Sequence, residues 1–368
     1  MAMVLLLLLF TSTQLAGAEK QPARSGHGFS YSHDDVPQKP WSIHIVRIDR
    51  TNSDFELDTT LGRGTQFGLG TLSSQVKSVP PALGRPVAAI NGDYFRNGFP
   101  YAGDPKGLQI THGELVSAPS DWTCIWIDRA GAPHMTNVLA QFEAVWPNGE
   151  KIPFGLNEDR PWNGAVLYTS AVGASTRSRS GREFILERSG TNSWLPLRVG
   201  ETYQANVREV RESGNAPLRN DIAVLSVGPQ ASGRLSNVAP GTTIRISTAT
   251  LPDLQGAKTA IGGGPLLVRA GKVVVQNDGV RHPRSAVGWN DKFLFLLEVD
   301  GRQLNLSVGM TLPELASYMV KLGCTEAMSL DGGGSATCWV YGQVMNSPSE
   351  GRERPMANGL VLLHKDKK

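Results

Sequence analysis

Cysteine is nearly missing from this 368-residue chain, with Cys124, Cys324 and Cys338 the only three. That is too few for a disulfide scaffold, and an odd number leaves at least one thiol outside any intramolecular pairing. Cys324 and Cys338 flank a glycine-rich loop and could close a small ring in an oxidising compartment, although two buried thiols fit the sequence as well. Charge of one sign is also scarce: 36 basic against 33 acidic side chains give a net charge of +3. Such a balance creates no field that would select a polyanion, so nucleic acid is not implied as a partner. The 7 histidines are scattered, and without a His-Glu-x-x-His motif or paired cysteine spacing they argue against a zinc site. A Gly-x-Ser-x-Gly elbow, a dinucleotide fingerprint and a phosphate-binding P-loop are missing as well. Beyond the first residues, no run is apolar enough to cross a membrane.

What is present begins with an apolar block, Met1 to Phe10, followed by the small residues Ala16, Gly17 and Ala18 just before charged Glu19 and Lys20. This reads as a signal peptide over 1–18, since the block falls well short of the roughly 20 residues that span a bilayer. One departure is that neither Lys nor Arg precedes it. A secreted or periplasmic protein is therefore expected. Residues 19–40 carry Gly, Pro, Ser and charge without apolar periodicity and read as a tether, with the fold starting near Trp41.

From Trp41 onward, short β-type runs recur, among them Ser42 to Ile48, Phe55 to Thr59, Val87 to Ile90, Cys124 to Ile127, Ile222 to Ser226, Phe293 to Val299 and Gly359 to Leu363. Helical signals are few. The clearest spans Thr311 to Leu322, where Thr311 and Glu314 form a capping-box pattern, Leu315, Met319 and Leu322 share a face, and Gly323 supplies the stop. A weaker one covers Thr71 to Val79, ahead of Pro80 and Pro81. These signals predict an α+β fold: a large mixed or mostly antiparallel sheet, few helices, and one catalytic domain over 41–366. The stretch 129–258 has turns but no cluster of chemically active residues and reads as an inserted elaboration.

The polar motifs gather on either side of that stretch. Leu330-Asp331-Gly332-Gly333-Gly334-Ser335 ends a β-type run in an acid and three glycines. Adjacent glycines are entropically costly and suit a sharp bend or a close approach to a ligand, and their N–H groups could cradle an anion. An ordinary turn would also account for this loop alone. A second triplet, Gly262-Gly263-Gly264, precedes Pro265 and a hairpin-like segment. His282-Pro283-Arg284-Ser285 sets an imidazole and a guanidinium before a strand, and Arg284 is the candidate anion binder because its planar donors suit phosphate. Asn91-Gly92-Asp93-Tyr94-Phe95 ends a buried run in a polar turn whose aromatics could pack inward or stack on a sugar. Arg177, Arg179 and Arg182 form a local basic run that reads most simply as a solvated loop.

Taken in order, Asn91 to Phe95, Gly262 to Pro265, His282 to Ser285, Val299-Asp300-Gly301, Gly309 to Ala316 and Leu330 to Ser335 resemble the phosphodiester glycosidase family. The resemblance extends through Asn346 and the segment Arg354 to Asn358 and is vague between the two motif groups. It implies hydrolysis of a sugar from a phosphodiester, with N-acetylglucosamine as the best-known sugar.

On that resemblance Asp331 is the carboxylate expected to act at the anomeric carbon or on water, with Asp93 or Asp300 as its partner and His282 as a further catalytic candidate. Asp300 reads more simply as a hairpin residue. Substrate binding is expected from Asn91, Gly92, Gly262, Gly263, Gly264, Arg284, Ser285, Gly332, Gly333, Gly334, Ser335, Asn346, Arg354 and Asn358. No cofactor is required by the sequence; a divalent cation such as calcium could assist, although no twelve-residue calcium loop is present. Two alternatives share the same residues: a glycosidase acting on ordinary glycosidic bonds of an extracellular polysaccharide, and a non-catalytic carbohydrate-binding or exopolysaccharide-assembly protein.

Overall fold

The computed structural model describes residues 28–365 apart from 192–193, 236–237 and 277–278. The expected signal peptide lies outside the described residues. The fold is the sheet-rich α+β type expected, with four sheets and helices at Leu72–Lys77, Pro229–Ser232 and Leu312–Lys321 among the described residues.

Two sheets carry most of the polar motifs, and a third, in which Thr259–Gly262 pairs with Gln109–Thr111 and Thr123–Ile127, carries the Gly262 triplet. Of the first two, one has seven antiparallel strands, centred on Trp41–Asp49, Phe293–Val299, Arg284–Trp289 and Glu326–Ser329. The other has five, with Arg85–Asn91 between Cys338–Val340 and Asn358–His364. The strand Phe29–Val36 edges the seven-stranded sheet, inside the stretch expected to be a tether. Its sequence, Phe-Ser-Tyr-Ser-His-Asp-Asp-Val, has too few apolar residues to announce a strand. Main-chain pairing with Trp41–Asp49 along its whole length holds it, together with Phe29 and Tyr31, which pack on the core between the sheets.

The seven-stranded sheet is buried on both faces, so its central strands lack the polar alternation of a half-exposed sheet. On one face Ile43, Ile45, Leu297 and Val299 pack with Leu315 and Met319 of the helix Leu312–Lys321. That helix starts as expected: Thr311 accepts the Glu314 N–H, and the Glu314 carboxylate accepts the Thr311 N–H, an arrangement worth about 1 kcal/mol. On the other face Val46, Val287 and Leu296 meet Ile90 and Leu360 of the five-stranded sheet.

This shared core positions the loops. Ile90, Ile261 and Leu330 all belong to it, and each immediately precedes a polar motif, at Asn91, Gly262 and Asp331. Burying each such side chain stabilises the fold by about 2 kcal/mol and fixes where the following loop emerges. An eight-stranded sheet drawn from 139–251 packs on a large core that includes Phe184, Leu225 and Ile246 and is shared with Ile110, Leu115 and Ala260. None of the three cysteines forms a disulfide, and all are buried; burial pushes the Cys124 and Cys324 thiols up to about 12.

Candidate active site

Asn91 joins three motifs. Its side-chain N–H donates to the Asp331 carbonyl at 2.6 Å, while its oxygen accepts the Ser285 hydroxyl at 2.6 Å and the Thr337 N–H at 3.1 Å. The Asp331 N–H donates to the Gly92 carbonyl at 2.9 Å. Asn91 and Ser285 are both fully buried, so these two expected ligand-binding residues act within the structure as ties between strands. Asn358 does the same for Asp93: its oxygen accepts the Asp93 N–H at 2.8 Å and its amide donates to Gln109 at 2.6 Å.

Asp93 is buried more deeply than Asp331. Its two carboxylate oxygens accept the N–H groups of Tyr94 and Gly107, each at 2.7 Å. Burial nevertheless pushes its carboxyl up to about 7, with the neighbouring Asp331 charge adding to the rise and Lys106 opposing it. Asp331 is also raised by burial, against the pull of the Ser335 hydroxyl, the Gly332 N–H, Arg354 and Lys106. The Gly332 N–H contact measures 2.9 Å. Both carboxyls are displaced towards neutrality, chiefly by burial, and form the electrostatic centre of the site.

The glycines bring the backbone close. A Cβ on Gly262 would stand 2.4 Å from the Asp93 carboxylate and 2.8 Å from the Gly107 Cα. On Gly332 it would meet the Pro283 carbonyl at 2.7 Å, and on Gly263 the Ser329 carbonyl at 2.8 Å. Gly264 faces open space, and Gly92 is filled from above by Asn358 and Ile261. At Gly262, Gly263 and Gly332, therefore, only glycine allows the observed close packing, at Gly262 directly against the Asp93 carboxylate.

Of the two arginines expected to bind substrate, Arg354 lies beside the Asp331 loop and Arg284 is directed elsewhere. Arg284 and Ser285 are neighbours on one strand and point to opposite faces. Ser285 turns to Asn91, while the Arg284 guanidinium donates to the Met310 and Val280 carbonyls at 2.9 and 3.0 Å. The cations beside the Asp331 loop are Lys106, Arg302 and Arg354. Arg302 donates to the His282 ring at 3.2 Å and closes over Gly333, where a Cβ would meet its guanidinium at 3.0 Å. Arg354 reaches the Ser335 hydroxyl at 3.4 Å and pairs with Glu350. Lys106 is exposed and stands 5.7 Å from the Trp122 ring centre, and Trp122 meets Tyr94 edge-on at 5.8 Å.

Asp300 sits in another group. Its carboxylate accepts the Ser42 hydroxyl at 2.8 Å, His44 at 3.2 Å and the Ser347 N–H at 2.7 Å. Asn346 bonds the Cys338 N–H at 2.9 Å and the Ala336 carbonyl at 3.1 Å, bracing the chain beyond Ser335. Lys106, Gly107, Trp122 and Arg302 were not singled out from the sequence. Lys106 and Gly107 carry no motif of their own and reach the site because the loop after Phe95 folds back through the Lys106 N–H to Tyr94 carbonyl bond at 2.9 Å.

Residues 199–363 match the model of the phosphodiester glycosidase family, which bears out the resemblance for that segment. Asn91, Asp93 and Lys106 lie outside it and join by folding. A Bacillus subtilis (strain 168) relative, the SPbeta prophage-derived uncharacterized protein YomE, is 35% identical over 119 residues, 30% of this chain and 18% of the relative. The chain thus matches less than a fifth of that relative's length. Among solved structures, a hypothetical protein from Synechocystis superposes with a TM-score of 0.73 at 19% identity, over 92% of this chain and 62% of the other. A Burkholderia pseudomallei K96243 protein described as exported gives 0.69 at 23%, over 88% and 74%. At these identities the likeness is one of fold. A zebrafish N-acetylglucosamine-1-phosphodiester alpha-N-acetylglucosaminidase catalytic domain matches at 15% identity over 92% and 82% with a TM-score of 0.42, too low to argue from.

Proposed function

We propose that this chain is an exported hydrolase that releases a sugar of the N-acetylglucosamine type from a sugar-1-phosphodiester. The observation that carries the reading is the two raised carboxyls, Asp93 and Asp331, with Lys106, Arg302 and Arg354 beside the Asp331 loop. In this account Asp331, the more accessible of the two, acts at the anomeric carbon or on water. Asp93, more deeply buried, tunes the Asp331 charge and stores a proton. The cations and the loop N–H groups receive the phosphate, and Tyr94 with Trp122 forms an aromatic wall for the sugar ring.

A phosphate leaving group, with a last ionisation near about 6, departs with little help from an acid. A neutral Asp93 is better suited to protonating a sugar alkoxide, and this favours a second reading in which ordinary glycosidic bonds are cleaved. The two separate on substrates. The full chain is incubated with N-acetylglucosamine-1-phosphate methyl diester and with an aryl N-acetylglucosaminide. Free sugar and methyl phosphate from the first, with the second cleaved at least tenfold more slowly, supports the proposal. Preferential cleavage of the aryl glycoside supports the second reading, and turnover of neither rejects both.

A further inference from the structure

A second set of chemically active side chains lies outside the Asp331 group. His44 and Glu298 face each other across paired strands, and Asp300, two residues beyond Glu298, falls on the same side because side chains alternate along a strand. The three are buried, and their potential ligand atoms all lie within 4.8 Å of one another. His44 Nε2 is 3.2 Å from an Asp300 oxygen. The Tyr31 hydroxyl, 2.8 Å from His44 Nδ1, fixes the ring from its other side, and the His33 ring stacks on it at 4.5 Å.

The cluster is not sealed. His44 and Asp300 line a cavity of about 420 Å³ together with Tyr31, His33, Ser42 and Ser347.

We propose that His44, Glu298 and Asp300 bind one divalent cation of the zinc or manganese type, with solvent completing its coordination from the cavity. One imidazole and two carboxylates form a mixed nitrogen and oxygen set suited to these ions. Calcium takes six to eight oxygens, more than three such side chains supply. With bonds of about 2.1 Å, ligand atoms spaced as His44 and Asp300 are can share one ion, and Tyr31 supplies the outer contact that orients a ligating histidine. The ion's role is structural. Through Ser347 and Asn346, Asp300 also holds the segment after Ser335, so the cation would lock the N-terminal strands to the far side of the glycine loop. This inference is independent of the proposed reaction.

The test uses the full chain, stripped with EDTA and titrated with zinc or manganese chloride, with bound metal counted by elemental mass spectrometry and melting followed by calorimetry. One bound equivalent and a melting temperature raised by several degrees are expected. Glu298→Gln and Asp300→Asn should each weaken binding at least tenfold. Tyr31→Phe keeps all three ligands and should weaken it about tenfold, which preserves the test if a ligand variant fails to fold. The inference is overturned if the wild-type chain takes up neither metal, if it binds calcium in preference to both, or if uptake survives the ligand substitutions unchanged. A protonated His44 acting alone as counter-charge would produce the first of these results.

Discussion

The Asn91 side chain and the Asp331 main chain, 240 positions apart, are joined by a 2.6 Å hydrogen bond. The same amide receives Ser285 and Thr337, so a single buried residue holds the strand Arg85–Asn91 that it ends, the strand that begins at Arg284 and both flanks of the glycine loop. Replacing it by alanine leaves a carbonyl, a hydroxyl and an N–H without partners in the interior, at about 1–3 kcal/mol each. Asn91→Ala is therefore expected to lose on the order of 4 kcal/mol of stability, read as a lower urea midpoint with an unchanged slope. An undiminished midpoint would show that the tie is dispensable.

Asp93 and Asp104 make stability depend on pH in an unusual direction. Burial pushes their carboxyls up to about 7 and about 8 respectively. Both folded values exceed the ordinary value near 4, so between roughly pH 4 and pH 8 the native chain holds protons that the unfolded chain has released. Their contribution to stability is therefore full below about pH 4 and is lost as pH rises to about 8, by up to about 1.4 kcal/mol per unit for each group. Asp104→Asn removes one of the two. Melting temperatures measured at pH 5 and pH 8 should then differ less than in the wild type, with the gain at pH 8.

Lys106 is the charge that lowers both Asp93 and Asp331. In Lys106→Met both carboxyls titrate at higher pH, and the limbs of the activity profile that they govern move up together. A rate profile from pH 4 to pH 9 checks this. Limbs that stay in place, or move down, would separate Lys106 from the pair.

The cations divide by role. Arg302 and Arg354 reach the glycine loop from the solvent side, so Arg302→Ala and Arg354→Ala should each raise KM for the phosphodiester about tenfold, with a smaller effect on an aryl glycoside. Arg284 donates to two main-chain carbonyls on the opposite face of its strand. Arg284→Ala should therefore lower the melting temperature while leaving KM near its wild-type value.

Much of this arrangement was legible in the sequence, for identifiable reasons. The helix after Thr311 was readable because a capping box and an apolar stripe are local signals. The glycine triplets and the Asn91 motif stood out because their residue types suit few other roles. The strand Phe29–Val36 did not, because much of its stability comes from pairing with another strand. For Arg284 a sequence names a guanidinium without saying which face of the sheet it leaves; in the fold it donates to the Met310 and Val280 carbonyls, while Ser285, next along the strand, turns to Asn91. Lys106 and Arg302 are isolated charges in loops, and only folding brings them beside Asp331.

The central claim is that Asp331 acts on the substrate while Asn91 and its companions hold it in place. Its most direct test is kcat/KM for release of N-acetylglucosamine from the methyl phosphodiester by the wild type and by Asp331→Asn, with melting temperature measured on the same samples. Loss of an acting carboxylate predicts a fall of about 10²–10⁴-fold with the fold retained. A variant that is equally well folded and remains within threefold of the wild type would contradict the account.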